Sequence, residues 1–229
     1  MKRIAVITAR SGSKGLKNKN ILPICGKPML AHSVEAAVQS GMFDRVILST
    51  DSDEYGRIGE EYGAEFFKRS EQTASDKAST FVVIEELFDA IGTDFDYFML
   101  LQPTAPLRNA EHVKEACRLF EERMDRFDFL VSVYPSSHPA VLVRPIDDDT
   151  SLKYFDTDFS NFKRQDFRDY TPNSAIYIGK PGMYLQKKHF YGAKATSYIM
   201  DAVSSVDVDN AIDYELACLL MEKREKGLL

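Results

Sequence analysis

Residues 4–20 of the chain read IAVITARSGSKGLKNKN. The first half of this stretch is apolar and β-branched, which is typical of a buried strand. The second half is rich in glycine and carries four cations, Arg10, Lys14, Lys17 and Lys19. Gly12 and Gly15 allow the backbone to come close to a ligand, so that successive N–H groups converge on anionic oxygens. The stretch therefore predicts a strand that runs into a phosphate-binding loop.

The glycine spacing distinguishes this loop from two common phosphate-binding motifs. Gly12 and Gly15 fit neither G-x-G-x-x-G nor G-x-x-x-x-G-K-[ST], which disfavours a dinucleotide-binding motif and a P-loop. A solvated basic turn is the simplest alternative for such a loop taken alone. Residues that accompany the loop elsewhere in the chain decide between the two interpretations.

The composition excludes several classes of protein. With 229 residues, the chain is long enough for one domain of ordinary size. Hydrophobic residues make up 44% and charged residues 28% of it, so neither a disordered nor a membrane-spanning protein is expected. A formal net charge of -6 argues against non-specific nucleic-acid binding, which requires a basic surface. The positive charge is instead local to the first loop, and this suits a small anionic ligand.

The sequence also indicates a cellular location and a state for the cysteines. It contains no apolar run approaching about 18 residues and no signal-peptide pattern after Met1. We therefore expect a cytoplasmic protein without a membrane partner. Cys25, Cys117 and Cys218 lie far apart without a C-x-x-C spacing, so neither a disulfide framework nor a zinc site is implied.

Strand and helix patterns alternate along most of the chain. Apolar runs predict strands over 4–7, 45–48, 64–67, 97–101, 129–133, 174–178 and 196–200. Helical spacing predicts helices over 28–40, 80–91, 110–122 and 211–225, one that ends near Tyr62 and one near Met183. The alternation predicts an α/β, Rossmann-like fold with a mostly parallel sheet flanked by helices. Ligands bind beyond the carboxyl ends of such strands, so the loops at 10–20, 49–51 and 102–108 should face one crevice.

Residues 135–172 interrupt this alternation. The segment is rich in Pro, Asp and aromatic residues and shows no clear period. Irregular segments longer than about 12 to 15 residues are more often functional than plain connections. We expect one domain over residues 1–229 that carries this segment as a small protruding excursion. A β-arm that packs on a second subunit and a long loop are the two alternatives for it.

A second candidate site precedes the last predicted helix. Asp207 and Asp209 stand one residue apart, and in an extended segment their side chains point the same way. Such a pair can bind a hard cation, for which Mg²⁺ is the natural choice and Mn²⁺ the alternative, since Mg²⁺ commonly bridges protein carboxylates to substrate phosphates. Alone the pair is not specific, because a helix-capping role explains Asp209 equally well. Together with a basic glycine loop, it favours a metal site.

Three segments together resemble one enzyme family. The loop at 9–20, the segment QPTAPLR at 102–108 and the D-x-D before the final helix resemble, in this order, motifs of the CMP-sialic acid synthetases, also called acylneuraminate cytidylyltransferases. The resemblance implies a nucleotidyltransferase-type fold in which Arg10 and Lys19 contact the CTP triphosphate. It assigns nucleotide binding to Ala9, Arg10, Gly12, Ser13, Lys14, Lys19 and Asn20.

The same resemblance implies a site for the base. Arg69 together with SDKAST at 75–80 is similar to the family's base-recognition segment. It implies that Arg69, Ala78 and Thr80 help to recognise cytosine. A loop followed by a helix N-cap is the alternative interpretation of these residues.

A sugar site is implied as well. Gln102 should contact the sugar acid, although Ala105 stands where the family carries serine. The segments KRQ and PNSAIY, at 163–165 and 172–177, resemble further family segments and imply that Arg164 binds the sugar carboxylate through a bidentate pair. The other sugar contacts that the resemblance implies are Asn173, Tyr177, Phe190 and Tyr191.

Two residues depart from the family pattern. Ser174 replaces the usual glycine, and Thr171 occupies a position where some members carry a second arginine. The arrangement that binds the sugar carboxylate is therefore left open. His138 is assigned no catalytic role, because a loop histidine has no partner that can be named from the sequence.

The resemblance finally implies a reaction. The anomeric hydroxyl of a sialic acid attacks the α-phosphorus of CTP, which gives a CMP-sugar and pyrophosphate. Arg10, Lys19 and Asp209 are the predicted catalytic residues, with Mg²⁺ held by Asp207 and Asp209, because such transfers depend on positioning and charge neutralisation. We expect a homodimer in which the excursion contributes to dimerisation and sugar binding, and no nucleic-acid partner.

Three alternatives remain from the sequence alone. The sugar acid could instead be legionaminic, pseudaminic or 3-deoxy-octulosonic acid, the last being disfavoured by the residues at 14–16 and 102–104. A nucleotide-sugar glycosyltransferase also uses a D-x-D but has less need for a basic glycine loop. A non-catalytic nucleotide-binding module would bind CTP without turnover.

Overall fold

The computed structural model describes residues 1–12, 15–75, 77–163 and 166–229. Its strands are β1 (Arg3–Thr8), β2 (Pro23–Ile24), β3 (Lys27–Pro28), β4 (Arg45–Thr50), β5 (Glu65–Lys68), β6 (Tyr97–Leu101), β7 (Phe129–Pro135), β8 (Tyr170–Gly179) and β9 (Ala195–Ile199). Its α-helices are α1 (Met29–Ser40), α2 (Asp53–Glu61), α3 (Glu71–Ala74), α4 (Thr80–Ile91), α5 (Ala110–Glu121), α6 (Pro181–Lys187) and α7 (Ala211–Glu225). Short 3-10 turns cover Lys19–Ile21, Ala140–Leu142 and Lys153–Phe155.

A mostly parallel sheet forms the centre of the molecule. Within the described residues it has seven strands in the order β5-β4-β1-β6-β8-β7-β9. Strand β1 pairs parallel with β4 and β6, β4 pairs parallel with β5, and β7 pairs parallel with β9. Strand β8 runs antiparallel to both of its neighbours, β6 and β7. The predicted α/β, Rossmann-like architecture is therefore confirmed.

Local sequence signals account for where several helices begin and end. Helix α1 ends at Gly41, whose φ of 63° is the left-handed conformation that glycine adopts without strain. Ser52 begins α2 by accepting a hydrogen bond from the N–H of Tyr55. Asn210 begins α7 with a capping box: its side chain accepts from the N–H of Asp213, and the Asp213 side chain accepts from the N–H of Asn210. These caps satisfy backbone groups that would otherwise lack partners.

Strand β6 divides the core into two layers. All of its residues are buried, and their side chains alternate between the two faces of the sheet. Tyr97, Met99 and Leu101 pack in a hydrophobic cluster with residues of α1 and α5. Phe98 and Leu100 pack in a second cluster with residues of α4. Among the described residues, no helix is both long enough and apolar enough to cross a bilayer.

The excursion leaves the sheet through two paired strands. The outer parts of β7 and β8 lie antiparallel, from Val133 opposite Pro172 to Pro135 opposite Tyr170. The segment between them exposes several large apolar side chains. They are Val143, Ile146, Leu152, Tyr154 and Phe167.

Candidate active site

The carboxyl ends of β1, β5 and β6 border one cavity. Because β1, β4, β5 and β6 run parallel, the segments that follow them emerge at the same edge of the sheet. Residues 49–51, which were also expected to face this crevice, are not among the described residues that line it. The cavity has a volume of about 440 Å³. Its lining includes residues from five separate segments, represented by Arg10, Lys19, Arg69, Thr80, Gln102 and Asp209.

The first loop meets the segment before α7 inside this cavity. The Lys19 Nζ donates hydrogen bonds to the Val208 carbonyl at 2.9 Å and to Asp209 Oδ1 at 3.0 Å. The Lys19 side chain is 17% exposed, whereas that of Asp209 is 74% exposed. The two ends of the chain therefore place an ammonium group and a solvent-accessible carboxylate side by side, which suits a ligand with both phosphate groups and a bound cation.

Close packing holds this junction in place. Val208 is fully buried, and its N–H donates to the Thr104 carbonyl at 2.7 Å. Gly15 approaches the same segment so closely that a Cβ atom there would lie 2.9 Å from the Asp209 carbonyl oxygen. The glycine loop was predicted to bring the backbone close to a ligand; at Gly15 the close approach in the structure is to the backbone of Asp209.

The start of the loop is fixed by two hydrogen bonds. The Asn20 side chain is buried and donates through Nδ2 to the Arg10 carbonyl at 3.0 Å. The Ala9 N–H donates to the Ser49 carbonyl of β4 at 3.0 Å, so it does not point toward a ligand. Ala9 supports the loop, while Arg10 and Asn20 line the cavity.

Three other loop residues were predicted to bind nucleotide. Gly12 is exposed, and a Cβ atom there would meet nothing within 4 Å. Ser13 and Lys14 lie outside the described residues, and so does Arg164, the predicted partner of the sugar carboxylate. Their roles stay predictions.

Arg69 forms the floor of the cavity. It is 8% exposed and donates through Nε to Ser49 Oγ at 2.9 Å and through Nη2 to the Ser49 carbonyl at 2.8 Å. Burial lowers its pKa to about 10, a value at which the guanidinium is still charged at neutral pH. Ala78 and Thr80, the other residues predicted to contact the base, line the same cavity.

Carboxylates hold two of the loops around Arg69. Asp51 accepts hydrogen bonds from the N–H of Ser11 at 2.8 Å and from its hydroxyl at 2.5 Å. Glu86 of α4 accepts from the N–H of Ser70 at 2.9 Å and from the Thr73 hydroxyl. Burial opposes ionisation of both carboxylates, but these hydrogen bonds outweigh it, and the pKa of each lies below its ordinary value. The ionised forms therefore stabilise the folded loops.

The Glu86 contact gives a pH-dependent stability that can be measured. Because the folded-state pKa of Glu86 is depressed, its contribution is present at neutral pH and is lost as the pH falls below about 4. Glu86→Gln should unfold at lower denaturant concentration than the wild type at pH 7, and the difference should shrink on acidification. Denaturant unfolding from pH 7 to pH 3.5 tests this, with Glu85→Gln as the matched control. A difference independent of pH would contradict the assignment.

Asp207, two residues before Asp209, is half-buried. Burial raises its pKa, and the neighbouring charge of Asp209 adds to this, whereas the hydroxyl groups of Thr104 and Ser174 favour its ionised form. Its Oδ1 atom is buried without a hydrogen-bond partner in the part of the chain that the structure describes. A buried carboxylate oxygen without a donor is a suitable ligand for a hard cation.

The backbone conformation of Ser174 shows why the family usually carries glycine at this position. Its φ of 59° is left-handed, which is a conformation that favours glycine and costs about 1 kcal/mol for other residues. Its side chain faces both Asp207 and Tyr177. Serine at this position therefore strains the backbone slightly, but it places a hydroxyl group beside Asp207, the candidate metal ligand.

A second cavity, of about 430 Å³, adjoins the first. Gln102 and Thr80 line both cavities, so that the two spaces meet at these residues. The walls of the second cavity are mainly aromatic and include Tyr177, Phe190 and Tyr191. The hydroxyl oxygens of Tyr177 and Tyr191 lie 3.5 Å apart. Burial raises the pKa of the Tyr177 hydroxyl, which therefore stays protonated.

Asn173 lies apart from these predicted sugar contacts. It is 2% exposed and is not among the described residues that line either cavity. Its Oδ1 accepts from the Ser132 hydroxyl at 2.5 Å, and its Nδ2 donates to Ser205 Oγ at 2.8 Å. In this conformation its amide connects β7, β8 and the segment before α7. The buried amide therefore does not face a cavity in which it could contact a sugar.

Comparison with known proteins agrees with this geometry. A sequence model of a family described as "Cytidylyltransferase" matches residues 4–226, which is nearly the whole chain. The chain belongs to the cytidylyltransferase family. The N-acylneuraminate cytidylyltransferase of Escherichia coli O18:K1:H7 (strain RS218 / NMEC) is 46% identical over 225 residues, which cover 98% of this chain and 53% of that protein. The resemblance to CMP-sialic acid synthetases seen in the motifs is thereby confirmed.

Two further comparisons place this cytidylyltransferase chain among its relatives. The CMP-N,N'-diacetyllegionaminic acid synthase of Legionella pneumophila subsp. pneumophila is 32% identical, over 100% of both chains. A solved structure of CMP:2-keto-3-deoxy-manno-octonic acid synthetase complexed with CTP superimposes with a TM-score of 0.73 at 17% identity, covering 98% of this chain and 100% of that one, which shows the same fold. The chain spans about half the length of the first curated relatives that it matches, 53% and 52%.

The structure adds site residues that the sequence did not reveal. Thr104 holds Val208 and faces Asp207, and Arg108 holds the carbonyl of Gln102. Both residues lie in the 102–108 turn, which the sequence analysis identified as a motif. Their partners are distant in sequence, and only the folded chain shows which residues they contact.

Proposed function

We propose that this chain transfers the cytidylyl group of CTP to a sialic acid, giving CMP-N-acylneuraminate and pyrophosphate. The contact between Lys19 and Asp209 at 3.0 Å, at the rim of a cavity that also holds Arg10 and Arg69, carries the proposal. It provides cations for a triphosphate and carboxylates for its metal ion in one place. The relatives' names, N-acylneuraminate cytidylyltransferase and CMP-N,N'-diacetyllegionaminic acid synthase, support this substrate class.

The two adjoining cavities accommodate the two substrates. We assign the first cavity to CTP, where Arg10 and Lys19 offset phosphate charge and Arg69 lies with Ala78 near the base. The aromatic cavity suits the sugar, whose ring and acyl group can pack against Tyr177 and Phe190. Gln102 lines both spaces, so the sugar hydroxyl and the α-phosphorus would meet beside it. Catalysis then depends on orientation and charge neutralisation.

Asp207 and Asp209 fit a magnesium ion. The buried Oδ1 of Asp207 lacks a donor, and Asp209 is open to the cavity. Among the described residues, no group of three or more His, Cys, Asp or Glu side chains could hold a metal by itself, so the remaining ligands would be substrate phosphates and water, as is usual for Mg²⁺. When bound, the ion would offset phosphate charge and acidify the attacking hydroxyl. Mn²⁺ is the alternative ion.

Pyrophosphate release tests the proposed function. The chain is incubated with N-acetylneuraminate, Mg²⁺ and each of the four ribonucleoside triphosphates in turn. We expect pyrophosphate with CTP and much less with ATP, GTP or UTP, together with an equal amount of CMP-sugar. Sugar transfer to an acceptor without pyrophosphate would instead indicate a glycosyltransferase. Binding of CTP without turnover over any sugar acid would indicate a binding module.

A related nonulosonic acid is the second candidate substrate. One relative that this chain matches over 100% of both lengths bears the name of a legionaminic acid synthase. A panel of N-acetylneuraminate, legionaminic, pseudaminic and 3-deoxy-octulosonic acids, each with CTP, compares the candidates through kcat/KM. We expect the highest value with N-acetylneuraminate, since the more similar relative carries that name.

We further propose a cytoplasmic homodimer. The large apolar side chains exposed on the excursion, such as Val143 (65%), Ile146 (64%) and Leu152 (62%), support an interface there. Sedimentation of the wild type should give a dimer, and Val143→Asp with Ile146→Asp should give a monomer. A wild-type monomer would overturn this part of the proposal and leave the reaction untouched.

Gly15→Ala is expected to weaken CTP binding about tenfold, because a backbone shift is needed to relieve overpacking of this size. A Cβ atom at Gly15 would lie 2.9 Å from the Asp209 carbonyl, so the loop and the Asp209 segment must separate. Calorimetric titration of CTP in the presence of Mg²⁺ measures the effect. Gly182→Ala is the control, since nothing lies within 4 Å of its Cβ position. Equal affinities in both variants would contradict a shared site.

A further inference from the structure

The last residue of the 102–108 turn is a buried arginine. Arg108 is 1% exposed, and burial lowers its pKa to about 9. Its guanidinium donates only to uncharged oxygens in the described part of the chain: Nε to the Ala175 carbonyl at 3.1 Å, and Nη2 to Ser33 Oγ at 2.6 Å and to the Gln102 carbonyl at 3.2 Å. Its Nη1 is buried without a hydrogen-bond partner among the described residues.

Such an arrangement is costly for stability alone. A buried cation without a carboxylate retains much of its desolvation penalty, and apolar residues of similar volume often stabilise a core better than buried charges do. A buried arginine is useful where several oxygens must be held together in a fixed geometry. The planar guanidinium can donate to all of them at once, and an apolar side chain cannot.

The contacts of Arg108 converge on residues of both cavities. The Gln102 carbonyl accepts from Arg108, from Ser33 Oγ at 3.3 Å and from the Ala105 N–H at 3.3 Å. Ala175 precedes Tyr177 by two residues on β8. The guanidinium therefore connects Gln102, which lines both cavities, to the strand that carries an aromatic wall of the second.

The same turn supports the acidic segment. Thr104 accepts the Val208 N–H at 2.7 Å, and Val208 lies between Asp207 and Asp209. Leu107 and Val208 also pack in one hydrophobic cluster with residues of α7. A displacement of the turn would thus move Gln102 and the two carboxylates together.

We propose that Arg108 is a positioning residue for nucleotidyl transfer, which fixes the 102–108 turn against α1 and β8 so that Gln102 and the carboxylates meet the reacting atoms. This inference rests on the proposed function. Arg108 is not among the described residues that line either cavity. It acts through Gln102 and, by way of Thr104 and Val208, through the acidic segment.

Steady-state kinetics of Arg108→Lys and Arg108→Met test the proposal. Lysine cannot supply three donors in one plane, so kcat per folded molecule should fall about 100-fold, the loss expected for a misplacement of about 1 Å. KM for the sugar acid should rise, and KM for CTP should change less, because Arg10, Lys19 and Arg69 come from other segments. Arg224→Lys is the matched control, since Arg224 donates to the Leu107 carbonyl of the same turn from α7. It should keep kcat and both KM values.

Amide hydrogen exchange separates this inference from the proposed reaction. Arg108→Lys should increase exchange at the Ala105 and Val208 N–H groups, which bond within and to the turn, and Arg224→Lys should not. A wild type without turnover would overturn the proposed function, and the exchange result would still report on the turn. Unchanged kcat and KM per folded molecule in Arg108→Lys, or exchange equal to that of Arg224→Lys, would show a merely structural arginine and overturn the inference.

Discussion

Asp207→Asn is expected to lower kcat about 1,000-fold, since a metal ion at a phosphoryl centre contributes several kcal/mol and each 1.4 kcal/mol is tenfold in rate. Asparagine keeps the size of the side chain but removes the charge that a Mg²⁺ ion needs. The same change should raise the thermal unfolding midpoint of the metal-free protein. Asp207 is half-buried, burial raises its pKa, and its buried Oδ1 lacks a hydrogen bond among the described residues, so its ionised form costs stability at neutral pH.

Opposite changes in stability and activity identify a residue kept for function. The two readouts are thermal unfolding with and without Mg²⁺, and pyrophosphate release over a range of Mg²⁺ concentrations. Mg²⁺ with CTP should stabilise the wild type and have little effect on Asp207→Asn. Glu215→Gln removes an exposed carboxylate from α7 and serves as the control. An Asp207→Asn variant with full magnesium-dependent activity would exclude the metal assignment.

Lys19→Met is expected to lower kcat/KM for CTP by about 100- to 1,000-fold, the range found when one preorganised donor to a developing charge is removed. The Lys19 Nζ lies 3.0 Å from Asp209 Oδ1, so the ammonium also offsets the charge of that carboxylate. Without it, Asp209 would face the anionic triphosphate directly. Binding of CTP and its turnover should both be impaired.

Lys17→Met is the matched control for this prediction. Lys17 is an exposed lysine of the same loop, two residues away. CTP titration and pyrophosphate release should be close to wild type for this variant. If both lysine variants lost activity equally, the effect would belong to the net charge of the loop and not to the contact with Asp209.

Strong local patterns predicted most of the fold. The continuous apolar run at 97–101 and the helical spacing at 80–91 match β6 and α4 in their bounds, because burial on both faces and a serine N-cap leave clear signals in sequence. The antiparallel direction of β8 was not predicted, and neither was its start at Tyr170. Both depend on pairing with β6 and β7, which no local pattern encodes. The single turn of α3 is too short to show a period.

The site was predictable where it rests on short motifs. The glycine loop and the D-x-D could be recognised, yet their contact joins Lys19 to a segment 189 residues away, and only the fold supplies it. Asn173 shows the converse limit. The resemblance of residues 172–177 to a family segment implied a sugar contact for this amide, whereas in the structure its oxygen accepts from Ser132 and its nitrogen donates to Ser205. Exposure and partner choice decide such cases, and neither can be read from one sequence.

A crystal structure of the chain with CTP and Mn²⁺ is the most direct test of the account. The triphosphate should lie between Lys19 and Asp209, and the anomalous signal of Mn²⁺ should lie within coordination distance of the Asp207 and Asp209 carboxylates. The cytosine should lie near Arg69 and Ala78, with the aromatic cavity open beside Gln102. A nucleotide bound elsewhere, or a metal ion away from both carboxylates, would contradict the claim that the first loop and the acidic segment form one active site.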